Sequence, residues 1–158
     1  MPSPIGFFAS LRMTICYMKP MKLSAPVCRK LEKAARAAAK ASYSPYSKFR
    51  VGAAVLTGSG TIYAGTNVEN ASYGLCNCAE RTAVYSAVAA GERVVHAVAV
   101  YTPTQTAKHP CGACRQVISE FGPTATVISV CDTADRAEGT LDQLLPAAFR
   151  PADLKPRR

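Results

Sequence analysis

The chain has 158 residues, 49% of them hydrophobic and 18% charged, which is typical of one globular domain and excludes a disordered tail, a collagen-like repeat and a disulfide-rich knot. No apolar stretch reaches the roughly 20 residues that span a bilayer, so we expect no membrane partner. The whole formal net charge of +9 lies in residues 1–50, where a solvated helix face explains it more simply than phosphate binding, so charge alone does not decide the function.

Apolar and turn residues predict helices and strands in alternation. Residues 1–23 share no clear period with the rest of the chain, and we expect a loosely ordered extension there. Ser24 as an N-cap and Pro26 in the first turn predict a helix whose apolar side chains recur at helical spacing from Val27 to Ala38. The sequence then predicts two strands joined by a glycine-containing turn, a helix, a strand, a helix and a last strand, over residues 49–56, 61–65, 78–90, 94–101, 111–121 and 126–130.

Strands and helices that alternate at this spacing predict an α/β domain in which helices cover a sheet. We expect the domain to span residues 24–150 and a C-terminal tail to follow over residues 151–158. Residues 131–141 are acidic and rich in turn-forming residues, and none of the predicted elements falls there.

Four of the seven cysteines form two close pairs, Cys76 with Cys78 and Cys111 with Cys114. No export signal stands out near the N-terminus, so we expect a cytoplasmic protein. In that reducing compartment, close-set cysteines are more often metal ligands or catalytic groups than disulfides. The two pairs therefore mark the segments in which we expect the chemistry.

Cys78, Cys111 and Cys114 lie at the starts of two predicted helices. Cys111 and Cys114 are three residues apart, so on one helical turn their sulfur atoms point the same way. Helix N-termini favour thiolates, because free backbone N–H groups and the helix dipole stabilise negative charge. Two such helix starts aimed at one point would present three thiolates to a zinc ion and leave its fourth position open, as catalytic zinc sites require.

Glu80 and Arg81 follow the first of these cysteines in the chain. Glu80 is too close to Cys78 to bind the same metal easily, but a carboxylate there can shuttle protons beside it. Arg81 is placed to hydrogen-bond a thiolate and so reduce the negative charge around the metal. In the alternative interpretation, Cys76 supplies a fourth sulfur and closes the site, which would make the protein a non-catalytic structural zinc module.

Five motifs recur in one order along the chain: YSPYSKFRVGAA over residues 43–54, NVENASY over 67–73, CAERTA over 78–83, PCGACRQ over 110–116 and LLPAAF over 144–149. Together they resemble the homotetrameric zinc cytidine deaminases. The resemblance implies a three-layer α-β-α fold, with a mixed sheet of about five strands covered by helices, and one zinc ion per subunit. It also implies hydrolytic deamination of cytidine and 2′-deoxycytidine to uridine and 2′-deoxyuridine plus ammonia, a reaction of pyrimidine salvage.

The same resemblance implies a role for each matching residue. Cys78, Cys111 and Cys114 resemble the zinc ligands and Glu80 the proton shuttle. Asn67 and Glu69 resemble the pair that binds the sugar 3′-hydroxyl. For the base, Phe49 resembles the aromatic residue that packs on it, and the backbone of Ala79 the group that contacts it. The resemblance further implies a homotetramer with shared active sites, in which three residues reach a neighbouring subunit's pocket: Ala71, Tyr73 and Phe149.

Two other substrate classes share the zinc motifs. Deaminases of bases in DNA or RNA need a strand-binding groove with stacking aromatic residues, whereas this chain has no Trp and residues 51–158 carry no net charge. We therefore expect no nucleic-acid partner. Deaminases of cytosine-containing nucleoside antibiotics such as blasticidin S are a closer alternative, but Asn67 and Glu69 favour a free nucleoside. His109, next to Pro110, is expected to be a polar loop residue rather than a fourth ligand.

Overall fold

The computed structural model describes residues 21–154. Within that range no helix is both long enough and apolar enough to cross a membrane. The predicted extension over residues 1–23 falls mainly outside the described residues, so the division of the chain into extension, domain and tail stays a prediction.

The helices and strands are α1 (Ala25–Ala39), β1 (Gly52–Thr57), β2 (Ile62–Thr66), α2 (Ala79–Ala89), β3 (Val95–Tyr101), α3 (Gly112–Phe121), β4 (Thr126–Val130), β5 (Arg136–Thr140) and α4 (Leu141–Leu144).

The five strands form one mixed sheet in the order β2-β1-β3-β4-β5. β1 pairs in antiparallel fashion with both β2 and β3, while β3 and β4 run parallel and β5 closes the sheet as an antiparallel edge strand. The parallel pair requires a crossover connection, which α3 supplies. The predicted mixed sheet of about five strands is therefore confirmed.

Helices cover both faces of the sheet. On one face, Leu31 and Ala35 of α1 pack against small side chains of the central strands, among them Ala54 and Ala97. On the other face, buried side chains of α2 and α3 pack with alternate residues of the same strands, such as Val55. Successive side chains of a strand point to opposite faces, so one continuous apolar strand contributes to both cores. The three-layer α-β-α fold is confirmed.

Two glycines allow the helices to approach the sheet closely. A Cβ atom at Gly52 would lie 2.0 Å from the backbone oxygen of Ala35 in α1, and one at Gly65 would lie 2.3 Å from the backbone nitrogen of Ala83 in α2. Because neither backbone atom can move without shifting a helix, only glycine fits at these two crossings.

The first strand begins at Gly52 and not at residue 49, so this predicted boundary is wrong. The side chain of Asn67 takes the hydrogen bonds that a strand partner would make: its Nδ2 donates to the Phe49 carbonyl at 2.8 Å, and its Oδ1 accepts from the Val51 N–H at 2.9 Å. Residues 49–51 are thereby held by a side chain outside the sheet.

The edge strand β5 lies in the acidic, turn-rich segment where no element was predicted. Its five residues are exposed or half-buried, and none is fully buried. Arg136 forms ion pairs with Glu32 of α1 at 2.9 Å and with Glu138 at 2.7 Å. Charged side chains are common on edge strands, since they discourage pairing with other chains, and this is why the segment carries no apolar signal.

The connections of β3 bring two helix N-termini together. Residues 90–94 link the end of α2 to the start of β3, so the N-terminus of α2 lies towards the carboxyl end of that strand. α3 follows β3 and runs back along the sheet, so its N-terminus lies at the same end. In α/β sheets, ligands bind at the carboxyl ends of parallel strands, and the topology places the candidate site there.

Candidate functional site

Three cysteine thiols converge where α2 and α3 begin. Cys78 is the N-cap of α2, Cys111 is the N-cap of α3, and Cys114 lies within the first turn of α3. Their Sγ atoms all lie within 4.8 Å of one another, which within residues 21–154 makes them a group able to hold a metal ion. Cys114 is fully buried, while Cys111 is exposed to the adjoining cavity.

The donor set fits zinc. Sulfur ligands about 2.3 Å from a tetrahedral zinc ion lie about 3.8 Å from one another. The Sγ atoms lie within 4.8 Å of one another, so each pair needs to move closer by at most about 1 Å to bind one ion. Three thiolates are typical of zinc, and with three protein ligands the fourth position is open towards the cavity.

The surroundings of Cys78 favour its thiolate form. A hydrogen bond from the Cys114 thiol and the adjacent Arg81 guanidinium lower the pKa of Cys78 to about 5. Arg81 Nη2 lies 3.4 Å from Cys78 Sγ and also donates to the Cys76 carbonyl at 3.3 Å. The interaction with Cys78 raises the pKa of Arg81 above its ordinary value, so that this residue stays cationic beside the sulfur atoms.

Glu80 lies in the first turn of α2, next to the thiols, and its side chain reaches the cavity. The residue is only 5% exposed. Burial raises the pKa of its carboxyl group, with the negative charge of Cys78 contributing in the same direction. A carboxyl group whose pKa is moved towards neutrality can both accept and donate a proton under physiological conditions.

The cavity beside the thiols has a volume of about 560 Å³, which is within the range of small-molecule sites. Several residues singled out from the sequence line it together. They are Phe49, Asn67, Glu69, Cys78, Ala79, Glu80 and Cys111.

Asn67 and Glu69 are held by hydrogen bonds to the segment that precedes β1. Asn67 Oδ1 accepts from the Ser42 hydroxyl at 2.6 Å as well as from Val51 N–H, and one Nδ2 proton is donated to Phe49. Glu69 Oε2 accepts from two backbone N–H groups, those of Tyr46 at 2.9 Å and of Ser47 at 3.2 Å.

The Ser47 hydroxyl also donates to Glu69 Oε1. This hydrogen bond is the main reason that the pKa of Glu69 lies below its ordinary value, so the carboxylate is ionised at neutral pH. An amide has two protons and two acceptor sites, and a carboxylate has about four acceptor sites. One N–H donor therefore remains on Asn67, and one acceptor site remains on Glu69 Oε1.

The three residues assigned to a neighbouring subunit lie apart from this cavity within their own chain. Ala71 is exposed, Tyr73 is 73% exposed and packs edge-on against Tyr46 with ring centroids 5.9 Å apart, and Phe149 is 60% exposed. The backbone carbonyl of Phe149 accepts a hydrogen bond from Gln116 Nε2 at 2.7 Å, which ties the C-terminal segment to α3.

Cys76 does not join the group of three thiols. Its Sγ accepts from the Asn70 N–H at 3.3 Å and faces the Asn70 carbonyl at 3.7 Å, so this sulfur fastens the loop before α2. Within residues 21–154 the metal-binding group consists of Cys78, Cys111 and Cys114. A site closed by four sulfur atoms is not favoured by this arrangement.

Sequence reasoning missed several residues of the site. Ser42 and Ser47 orient the side chains of Asn67 and Glu69. Ser47 lies within the first motif and Ser42 directly before it, and only that position could have indicated their role. Lys108 and His109 also line the cavity, although His109 was expected to be an ordinary loop residue. His109 Nδ1 lies 3.1 Å from the Ser129 hydroxyl, and burial lowers the pKa of the imidazole.

We expect Cys111→Ser to lose most of its zinc and Cys76→Ser to keep about one zinc ion per subunit. The reason is that Cys111 supplies one of the three converging sulfur atoms, whereas the sulfur of Cys76 bonds to the Asn70 backbone. The metal content of both variants is measured after dialysis, with circular dichroism as the control for folding. Loss of zinc from a folded Cys76→Ser variant would contradict the three-sulfur assignment.

Comparison with known proteins agrees with this geometry. Residues 27–130 match the family model described as the cytidine and deoxycytidylate deaminase zinc-binding region. The chain is 47% identical over 125 residues to a cytidine deaminase of Halalkalibacterium halodurans, covering 78% of this chain and 95% of that protein. It is 40% identical over 121 residues to a cytidine deaminase of Mycobacterium tuberculosis, covering 77% of this chain and 88% of that protein.

Solved structures give the same result. A crystal structure of cytidine deaminase from Burkholderia pseudomallei superposes with a TM-score of 0.74 at 51% identity, covering 77% of this chain and 98% of that one. The crystal structure of the enzyme from Mycobacterium tuberculosis has a TM-score of 0.66 at 38% identity, covering 77% of this chain and 96% of that one. The family model, the relatives and the placement of the three cysteines agree, and the chain belongs to the cytidine and deoxycytidylate deaminase zinc-binding family.

Proposed function

We propose that this protein is a zinc-dependent cytidine deaminase, which converts cytidine and 2′-deoxycytidine to uridine and 2′-deoxyuridine plus ammonia. The observation that carries the proposal is one cavity lined by the thiols of Cys78 and Cys111, the buried carboxyl of Glu80 and the polar pair of Asn67 and Glu69. A structural zinc module would leave both Glu80 and this polar pair without a use.

Glu80 is the proton carrier of the proposed reaction. Cys78, Cys111 and Cys114 would hold the zinc ion, which would supply a Lewis acid that makes the attacking water easier to deprotonate. The Glu80 carboxylate accepts a proton from the attacking water and delivers it to the ring nitrogen N3. The water oxygen bonds to C4, and Glu80 then takes the proton of the resulting C4 hydroxyl and passes it to the amine nitrogen, so that the C4–N bond breaks and ammonia leaves. Because burial raises its pKa, this carboxyl group can serve in both directions.

Asn67 and Glu69 select a ligand hydroxyl. The free proton on Asn67 Nδ2 donates to the oxygen of a sugar hydroxyl, and Glu69 Oε1 accepts the proton of the same hydroxyl. One donor beside one acceptor matches a hydroxyl group, which carries both functions. We assign this contact to the 3′-hydroxyl, which cytidine and 2′-deoxycytidine share, while Phe49 packs on the base and the backbone of Ala79 contacts its polar edge.

We further propose a homotetramer with shared active sites. Tyr73, Leu75 and Phe149 are large apolar side chains that are each at least 60% exposed in the single chain, and exposed apolar groups of this kind are typical of interfaces. Ala71, Tyr73 and Phe149 would complete the cavity of a neighbouring subunit. The proposed setting is pyrimidine salvage in the cytoplasm, where a reducing environment keeps the three thiols available for zinc.

Replacing Glu80 tests the reaction. We expect Glu80→Gln to lower kcat for cytidine by roughly 10²–10⁴-fold while zinc is retained, because the amide keeps the shape of the side chain but cannot carry the proton. Conversion is followed by ultraviolet absorbance. Glu120→Gln, a change of the same kind on α3 outside the cavity, is the matched control and is expected to leave kcat unchanged.

Failure of the folded, zinc-loaded protein to convert either nucleoside would refute the proposed substrates. Conversion of blasticidin S in the same assay would then favour the antibiotic alternative.

The sugar contact makes a separate prediction with substrate analogues. We expect 3′-deoxycytidine to have a kcat/KM lower than that of cytidine by at least about ten-fold, because the free donor of Asn67 and the free acceptor of Glu69 would lose their partner when the base and sugar exclude water from the cavity. 2′-Deoxycytidine keeps the 3′-hydroxyl and is the matched comparison. Equal kcat/KM values for 3′-deoxycytidine and cytidine would refute the assignment of this pair.

Co-expression of two impaired variants tests the shared sites. Phe149→Ala subunits retain Glu80, and Glu80→Gln subunits retain Phe149, so a mixed tetramer contains some sites with both residues intact. We expect the mixture to be several-fold more active per Glu80-bearing subunit than Phe149→Ala alone. Activity equal to the sum of the two parents, in particles that sediment as mixed tetramers, would contradict the contribution of Phe149 to a neighbouring site.

A further inference from the structure

A second cleft lies behind the wall of the nucleoside cavity. The wall consists of residues 47–51, which precede β1, and residues 100–103, at the end of β3. Alternate side chains of both segments face opposite sides. Ser47, Phe49, Val51, Val100 and Thr102 line the nucleoside cavity, and Lys48, Arg50, Tyr101 and Pro103 line the second cleft.

The second cleft is strongly basic. Arg36 of α1 and Lys40, the C-cap of that helix, form one side, and Lys48 and Arg50 form the other. The cleft has a volume of about 390 Å³, and its apolar surface includes Tyr101. None of these four cations has a carboxylate partner within 4.0 Å among residues 21–154, where Arg136 is the basic residue that forms ion pairs. Four like charges around one concave surface repel each other and concentrate a positive potential there.

A simpler explanation covers only half of these charges. Arg36 and Lys40 lie at the end of α1, where cations offset the negative end of the helix dipole, and the Arg36 guanidinium also stacks over the Tyr101 ring at 4.9 Å. Lys48 and Arg50 lie in a different segment, away from the end of α1. The charge of Lys48 helps to lower the pKa of Glu69, but neither cation forms an ion pair within residues 21–154. The nearby carboxylate of Asp132 accepts a hydrogen bond from the Tyr101 hydroxyl at 2.5 Å, and it forms no ion pair with the four cations.

The backbone at Lys48 has a conformation that is uncommon for residues with a side chain. Its φ angle is +58°, in the left-handed region that favours glycine over residues with a side chain. A lysine there is strained, and strained residues cluster at functional sites. The turn at this residue separates Phe49, on the nucleoside cavity, from the ammonium group of Lys48, which lines the basic cleft.

We propose that the basic cleft formed by Arg36, Lys40, Lys48 and Arg50 is a binding site for a polyphosphate chain, either free or as part of a nucleotide. Guanidinium and ammonium groups bind phosphate oxygens through charge-assisted hydrogen bonds, and a chain of phosphates can contact both sides of the cleft. A ligand bound there contacts the same two segments that line the nucleoside cavity from the other side.

The test is isothermal titration of the full-length, zinc-loaded protein with sodium tripolyphosphate and, separately, with UTP. The cleft variant is Lys48→Gly with Arg50→Gln, in which glycine suits the left-handed backbone and so preserves the fold. The matched control is Lys22→Gln with Lys30→Gln, two exposed cations that do not line the cleft and whose removal changes the net charge equally. The zinc content is measured after each titration, so that extraction of the metal is not mistaken for binding.

We expect tripolyphosphate to bind the unmodified protein, the cleft variant to bind it at least about ten-fold more weakly, and the control to stay within about two-fold. UTP that binds like tripolyphosphate, with the same loss in the cleft variant, identifies the phosphate chain as the recognised group. UTP that binds more tightly than tripolyphosphate, and that the cleft variant also binds more weakly, identifies a nucleotide as the ligand. Equal weakening in both variants overturns the proposal, and so does the absence of binding of either anion to the unmodified protein.

Discussion

The convergence of two helix N-termini at the carboxyl end of β3 is the feature on which the site depends. A short connection joins the end of α2 to the start of β3, and α3 forms the crossover from β3 to the parallel strand β4. Both helices therefore begin at the same end of the sheet. Each helix start carries a cysteine as its N-cap. Unpaired backbone N–H groups at both starts favour negative charge on the sulfur atoms, and the same geometry that gathers the thiols also helps to ionise them.

Neighbouring residues of α2 have opposite electrostatic surroundings. Glu80 is buried, and its pKa is raised because water is excluded from it. Arg81 contacts the sulfur of Cys78, and each of these two groups favours the charged form of the other. One turn of helix therefore provides a carboxyl group that can exchange its proton and a cation that does not. In the proposed reaction a metal centre with three thiolates uses both, because the thiolates carry excess negative charge and the carboxyl group moves protons beside them.

The loop after β2 has a structural role and, in the proposed function, a binding role as well. The Asn67 side chain ends the pairing of β1 by bonding to residues 49 and 51, and this contact also holds Phe49 at the cavity. Ser47 similarly orients Glu69. The polar groups in the cavity are therefore preorganised by the fold, and few rotamers remain to be restricted when a ligand binds.

Local sequence was sufficient to predict α1, α2, α3 and four of the strands, because caps, glycines and apolar spacing depend on neighbours in the chain. The short helix α4 was not predicted. The edge strand β5 was missed, since its polar residues become a strand only by pairing with β4. Sequence spacing also identified the three cysteines and Glu80, which lie in two compact motifs. Long-range contacts determine the rest. The sulfur of Cys76 bonds to Asn70 and does not join the three converging thiols. The hydrogen bonds of Asn67 to Ser42 and Val51 determine which of its polar groups remains free. Such outcomes depend on segments that meet only when the sheet and its helices have assembled.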